Sequence, residues 1–244
     1  MQQPASEKCS VCMRDLSYAR DGHQVFSGLN LDLADHRVGI IGRNGSGKTQ
    51  MARLIAGLAA PDAGAVTVGG VEVAKDRKAA LSTVGILFQN PDHQIIFPTV
   101  GEELGFGLTS QGLDKAAARD KAQDILARFN RPGWYDRPVY ALSQGQRHLV
   151  CLMAVLVMAP KLIVLDEPYS GLDLATTVRL GRYLDALDPG LIHITHDLHS
   201  IGGYDRVIWL DQGEVRMDGV PGDVLPAYEA EMRDRGGRDD FADL

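Results

Sequence analysis

The sequence predicts an α/β fold, and three observations carry the prediction. The apolar run "VGII" at residues 38–41 passes through a glycine-rich stretch into a helical pattern, and a second apolar run, "LIVLD" at 162–166, ends beside two acids. Between them, residues 91–158 change to helical periodicity, as an inserted segment would. Apolar runs of this length, without alternation, fit parallel strands covered on both faces. At 244 residues and 45% hydrophobic content the chain is long enough for one large domain, or for a domain with an insertion.

The elements are expected in the following order. "SVCMRDLSYAR" and "QVFSGLNLDLADHRVGIIG" are strands separated by a "DGH" turn, and a helix follows the glycine-rich stretch. "AGAVTVGGVEVA" and "LSTVGILFQN" are further strands around glycine-rich turns. Within the helical segment, Ala118, Ala122, Ile125, Leu126 and Phe129 of "DKAAARDKAQDILARFN" share one helix face. "KLIVLD" and "LIHITHD" return the chain to the core, "VIWLDQGEVRMDGVPGDVL" is a last hairpin and turn, and residues 231–244 are a weakly ordered tail. The division is a core with an antiparallel β subdomain at 1–90 and 159–226, a helical subdomain at 91–158, and a tail at 227–244.

The stretch "GRNGSGKT", residues 42–49, is a phosphate-binding P-loop by its chemistry. Gly42, Gly45 and Gly47 permit the tight turns that aim successive N–H groups into one concavity, and the helix beginning near Lys48 adds its positive end. Lys48 would reach the β- and γ-phosphates, and the Thr49 hydroxyl would ligate a bridging Mg²⁺. At the end of "LIVLDE", Asp166 would hold the hydrated metal and Glu167 would polarise the attacking water as a general base.

"ALSQGQRHLV", residues 141–150, raises a different question. Ser143 and Gln146 are spaced as a capping box. Gly145 in the first turn costs up to about 1 kcal/mol relative to alanine, so something is expected to approach its backbone closely. A helix start with a serine hydroxyl and bare N–H groups is a second phosphate-binding surface. Two such surfaces on one chain predict a dimer that clamps a Mg-triphosphate between the loop of one subunit and the helix start of the other, and opens on hydrolysis.

These motifs, in this order, resemble the ATP-binding cassette family over residues 9–225. The resemblance implies an ABC-type P-loop ATPase that binds ATP and Mg²⁺. It implies that Gly42, Asn44, Gly45, Ser46, Gly47, Lys48, Thr49 and Gln50 surround the nucleotide, that Tyr18 of "LSYAR" stacks on adenine, and that Gln89 of "LFQN" reaches the metal and the γ-phosphate. "LSQGQ" resembles the signature that completes the partner's site through Ser143, Gly145 and Gln146; Asp173 of "SGLD" organises the dimer contact, and His196 of "ITHD" is the switch histidine. Gln144 stands where the family's signature has glycine, adding a polar side chain near the bound phosphates. The segment "FQNPDHQIIFPTVGEELGFG", residues 88–107, resembles the ATPases of energy-coupling factor importers, which take up vitamins and transition-metal ions. The short carboxyl end is more similar to the biotin-uptake type than to the cobalt or nickel type.

The partners so implied are a second ATPase subunit, expected to be identical, a membrane scaffold subunit, and a separate membrane protein that captures the substrate. Within the scaffold-facing segment, Ile95, Ile96 and Phe97 form an apolar cluster that either packs into the helices or receives scaffold helices. An ATPase of an ordinary importer or exporter shares the core motifs. A DNA-acting relative would need long heptads between Gln89 and Ser143, where only about 50 residues lie, and a net charge of −7 gives no reason to expect nucleic acid. A GTPase would show N-K-x-D, which is absent. "MQQPASEKCS" lacks the regions of a signal peptide, and the longest apolar run, residues 149–159, is about half a membrane span. The expected place is therefore the cytoplasmic face of the membrane, peripherally. Cys9 and Cys12 form a single C-x-x-C and Cys151 lies in an apolar run, so packing rather than metal binding is expected of all three.

Overall fold

The computed structural model describes residues 9–237. The first strands are β1 (Val11–Arg20), β2 (His23–Leu33) and β3 (Arg37–Ile41). Helix α1 (Lys48–Ile55), strands β4 (Ala63–Val68) and β5 (Val71–Glu72), helix α2 (Arg77–Thr83) and strand β6 (Val84–Leu87) follow. The helices α3 (Val100–Ser110), α4 (Lys115–Arg128) and α5 (Gln144–Leu156) come next. Strand β7 (Leu162–Asp166), helix α6 (Leu174–Asp185), strands β8 (Gly190–Ile194), β9 (Arg206–Asp211) and β10 (Glu214–Gly219), and helix α7 (Pro221–Gly237) complete the order.

Two sheets organise the molecule. Strands β2-β1-β4-β5 form an antiparallel sheet, and β10-β9-β3-β8-β7-β6 form a mixed one in which only β10 runs antiparallel to its neighbour. The unalternated apolar runs have the cause expected of them. In β7, Leu162 and Val164 join a core with α1 and the antiparallel sheet, while Ile163 and Leu165 join a second core with α3, α4, α5 and α6. Each fully buried side chain of this kind contributes roughly 1.5–3 kcal/mol. The helical segment thus shares its core with one face of the mixed sheet instead of closing a core of its own. Ala118, Ala122, Ile125, Leu126 and Phe129 are all buried, the last four within that core.

The structure departs from the sequence reading in four places. Residues Leu81–Thr83, expected as strand, are the last turn of α2, whose start is capped by Asp76 accepting from the Ala79 N–H. Helix α6 has no clear signal in the sequence, because half of its twelve residues are polar, charged or glycine and only Leu180 and Leu184 are buried. "PGDVL", expected as a turn, opens α7, and this helix also takes in residues 227–237 of the expected tail. Its Val224, Ala227, Tyr228 and Met232 join the apolar cluster around Ile41, Ile201 and Trp209, and Arg235 and Glu231 tie it to Asp211 and Arg216. The remainder of that tail, 238–244, and the amino-terminal residues 1–8 lie outside the described residues. Among the described residues no helix is long and apolar enough to cross a membrane.

Candidate functional site

Strands β3, β6, β7 and β8 run in parallel, so their carboxyl ends gather the segments that follow them, the usual place for a site in an α/β sheet. After β3 the loop turns into α1 through Gly42, Gly45 and Gly47, at φ 153°, 78° and 103°. Two of these glycines are also required by space. A Cβ at Gly42 would fall 2.1 Å from the Leu210 carbonyl oxygen, and one at Gly47 would fall 2.9 Å from the Phe26 ring. Lys48 is 6% exposed, and its Nζ donates to the carbonyls of Gly42 and Arg43 at 2.7 and 2.8 Å. Burial holds its pKa below the ordinary lysine value, against the opposing pull of Glu167 and Asp166.

The acids close the site from β7. Thr49 Oγ1 lies 3.4 Å from Asp166 Oδ1, and burial raises the Asp166 pKa. Glu167 has φ 49°, a left-handed conformation uncommon outside glycine and asparagine, held by its N–H donating to the Ile194 carbonyl at 2.9 Å. Its carboxylate is the meeting point of three strand ends. Gln89 Nε2, after β6, donates to Glu167 Oε2 at 3.0 Å and to Ser170 Oγ at 3.1 Å, and His196 Nε2, after β8, lies 2.9 Å from Glu167 Oε1. A cleft of about 750 Å³ runs over this group and is lined by Asn44, Gly45, Gly47, Lys48, Thr49, Gln50, Gln89, Glu167 and His196. Ser46 Oγ and Gln50 Oε1 are buried beside it with no hydrogen-bond partner among the described residues.

The helix start expected to be a second phosphate-binding surface lies elsewhere. Ser143 and Gln146 make the expected capping box at α5, with the Gln146 N–H donating to Ser143 Oγ and the Ser143 N–H to Gln146 Oε1. Gly145 faces α6: a Cβ there would lie 2.7 Å from Thr176 Cγ2, so the close approach that glycine implied is made at least in part from within the chain. Asp173 caps α6, accepting from the Thr176 N–H at 2.8 Å and its hydroxyl at 2.9 Å, and these donors hold its pKa below the ordinary carboxylate value. Ser143, Gly145, Gln146 and Asp173 line a recess separate from the cleft over Lys48. Gln144 turns toward Gly171 of the chain's own "SGLD" and lines, with Thr49, Gln89 and Asp166, a third recess.

Tyr18 lies in β1, half-buried against the core of the antiparallel sheet. A shift of register in the β1–β2 ladder falls between Tyr18 and Ala19, so simple alternation does not hold at this strand end. The cleft is lined there by Arg20, Asp21, His23 and Val25. Sequence reasoning missed these four, and also Ser170; the "RDGH" turn was visible, but which loop it overhangs is a property of the two-sheet arrangement.

A glycine-rich loop feeding a helix, a buried lysine, a threonine beside an aspartate, and a glutamate bracketed by glutamine and histidine define a nucleoside triphosphate hydrolase. Comparison with known proteins gives the family. Residues 26–170 match the model of the ABC transporter family, and the chain belongs to that family as an ATP-hydrolysing member. It is 50% identical over 214 residues to the biotin transport ATP-binding protein BioM of Rhodobacter capsulatus, covering 88% of this chain and 92% of the relative. The BioM of Rhizobium etli is 39% identical over 200 residues, covering 82% and 89%. Among solved structures, cbiO1 of Clostridium perfringens, described as part of the ABC transporter complex cbiONQ, superposes with a TM-score of 0.75 at 28% identity, covering 91% of this chain and 93% of that one.

Proposed function

We propose that the chain is one of two ATPase subunits that drive an energy-coupling factor importer at the cytoplasmic face of a membrane, with biotin as the substrate carried. The observation that carries this reading is the 50% identity to a biotin transport protein over nearly the whole of both chains. The likeness to a subunit of the cbiONQ complex supports the importer type. The placement of Ser143 and Gly145 in a recess apart from Lys48 supports the dimer, since a second copy must then supply the signature to each nucleotide.

Lys48 and the N–H groups of the loop bind the phosphates of ATP, and Asn44, Gly45, Ser46 and Gln50 close around them. Thr49 and Asp166 offer hard oxygen donors with Gln89 in the same recess, and the unpartnered Ser46 Oγ and Gln50 Oε1 leave acceptors free nearby; this set fits Mg²⁺. Bound there, Mg²⁺ would supply positive charge against that of the phosphates. Glu167 accepts the proton of the attacking water, and His196 and Gln89, both on its carboxylate, orient it and face the γ-phosphate. Asp173 organises the contact between the two subunits.

The segment after Gln89 supports a route to the membrane. Phe88 N–H donates to Gln94 Oε1 at 3.1 Å, and the buried Glu103 carboxylate accepts from the N–H groups of Ile96 and Phe97 at 2.9 and 3.0 Å. The apolar cluster divides: Ile95 packs on the helical core, Phe97 stacks on Phe106 at 5.1 Å, and Ile96 is 70% exposed. Ile96, Phe106, Leu58 and Leu81 rim an apolar groove of about 460 Å³. An apolar groove with exposed rims suits a helix of a scaffold subunit. The test is co-purification from native membranes. A small scaffold with a biotin-binding membrane protein is expected, together with loss of that assembly and of biotin uptake, but not of ATP binding, in Ile96→Asp. Recovery with a large permease, or unchanged assembly of Ile96→Asp, refutes the reading.

A further inference from the structure

The signature carries one side chain that the nucleotide does not account for. Gln144 is the first residue of α5, directly after the Ser143 cap, and among the described residues its amide has no hydrogen-bond partner. Its side chain packs within the chain instead. Gly171 of "SGLD" has φ 71°, and a Cβ built on it would lie 2.8 Å from Gln144 Nε2, so the Gln144 amide fills the space over the Gly171 α-carbon. The next residue makes a similar contact. A Cβ at Gly145 would lie 2.7 Å from Thr176 Cγ2, so the first turn of α5 rests on residues 171–176 at two points.

Those residues are themselves anchored at both ends. Ser170 Oγ accepts from Gln89 Nε2, which also donates to Glu167, and Asp173 accepts from both the N–H and the hydroxyl of Thr176. We propose that Gln144 is a positioning residue: its side chain braces the signature against the "SGLD" turn of its own chain, so that Ser143 and Gly145 meet the partner's nucleotide in fixed register with Asp173. The brace works by the length and packing of the side chain, and the amide does not touch the phosphates. A glycine at this position, as in the family's usual signature, has nothing that reaches Gly171, and the first turn of α5 would then rest on Thr176 alone.

This inference rests on the dimer reading, and the ATP-locked dimer of Glu167→Gln lets closure be measured without hydrolysis. Its dissociation constant is read by analytical ultracentrifugation of the full chain with ATP and Mg²⁺. Adding Gln144→Ala is expected to weaken that dimer roughly tenfold, since two equivalent contacts are lost, while ADP binding to the chain's own loop stays as it was. Gln144→Met, similar in length but without the amide, is expected to restore the dimer to within about twofold. Gly171→Ala, whose Cβ displaces the Gln144 side chain, is expected to cost less in the Gln144→Ala background than alone. An unchanged dimer in Gln144→Ala overturns the proposal, as does failure of methionine to restore it, an equal cost of Gly171→Ala in both backgrounds, or a parallel loss of ADP binding. Thermal melting checks the fold of each variant, and the alanine and methionine arms decide the matter if Gly171→Ala does not fold. Absence of any ATP-dependent dimer in Glu167→Gln itself removes the dimer reading, and the brace with it.

Discussion

His193 is fully buried in β8, three residues before His196, with Nδ1 3.1 Å from the Tyr204 hydroxyl and Nε2 without a partner among the described residues. Tyr169, two residues past Glu167, meets its ring edge-on at 5.5 Å. The groups placed on the imidazole are two phenols, both pushed by burial above the ordinary tyrosine pKa. Burial pushes His193 from 6.5 down to about 3. A histidine that is neutral when folded but free to charge when unfolded contributes stability that is complete above pH 6.5 and is lost as pH falls toward 3. At pH 5 the loss is about 2 kcal/mol relative to pH 7.5, at about 1.4 kcal/mol per pH unit. For a chain of this size that corresponds to roughly 4–8 °C in Tm. His193→Gln keeps a partner for Tyr204 and cannot charge, and any fixed cost of the substitution drops out when each protein is compared with itself. The assay is denaturant unfolding at pH 7.5 and pH 5, in which the parent is expected to lose about 2 kcal/mol more than the variant between the two. Equal losses refute the reasoning.

Lys48→Ala is expected to stay folded and lose ATP turnover by roughly two orders of magnitude or more, read by phosphate release and thermal melting; normal turnover removes the phosphate-loop assignment. Glu167→Gln keeps one amide oxygen to accept from Gln89 and an amide N–H that can donate to a neutral His196, but no base, so hydrolysis is expected to fall roughly 10²- to 10⁴-fold while ATP and Mg²⁺ lock the dimer, seen by size-exclusion chromatography. A parental rate in that variant rules out the base. A mixed dimer with Lys48→Ala in one subunit and Ser143→Arg in the other places both lesions in one site, and is expected to hydrolyse ATP where neither parent homodimer does; no rescue in correctly assembled dimers speaks against a shared site.

The parts of this molecule that were legible in the sequence are those where chemistry is written locally. The phosphate loop, the capping box of Ser143 and Gln146, and the acids at the end of β7 each announce themselves within ten residues, because turn geometry, helix capping and strand burial are short-range demands. What the sequence did not disclose depends on which distant segment comes alongside. Gly145 is explained in part by Thr176, some thirty residues away, so its glycine reflects packing between α5 and α6 as much as any ligand. Glu103 sits in a helix whose charge pattern looks solvated, yet its carboxylate is buried and fixes the backbone of Ile96 and Phe97. The left-handed backbone of Glu167 is invisible to any propensity, since it depends on a hydrogen bond to β8.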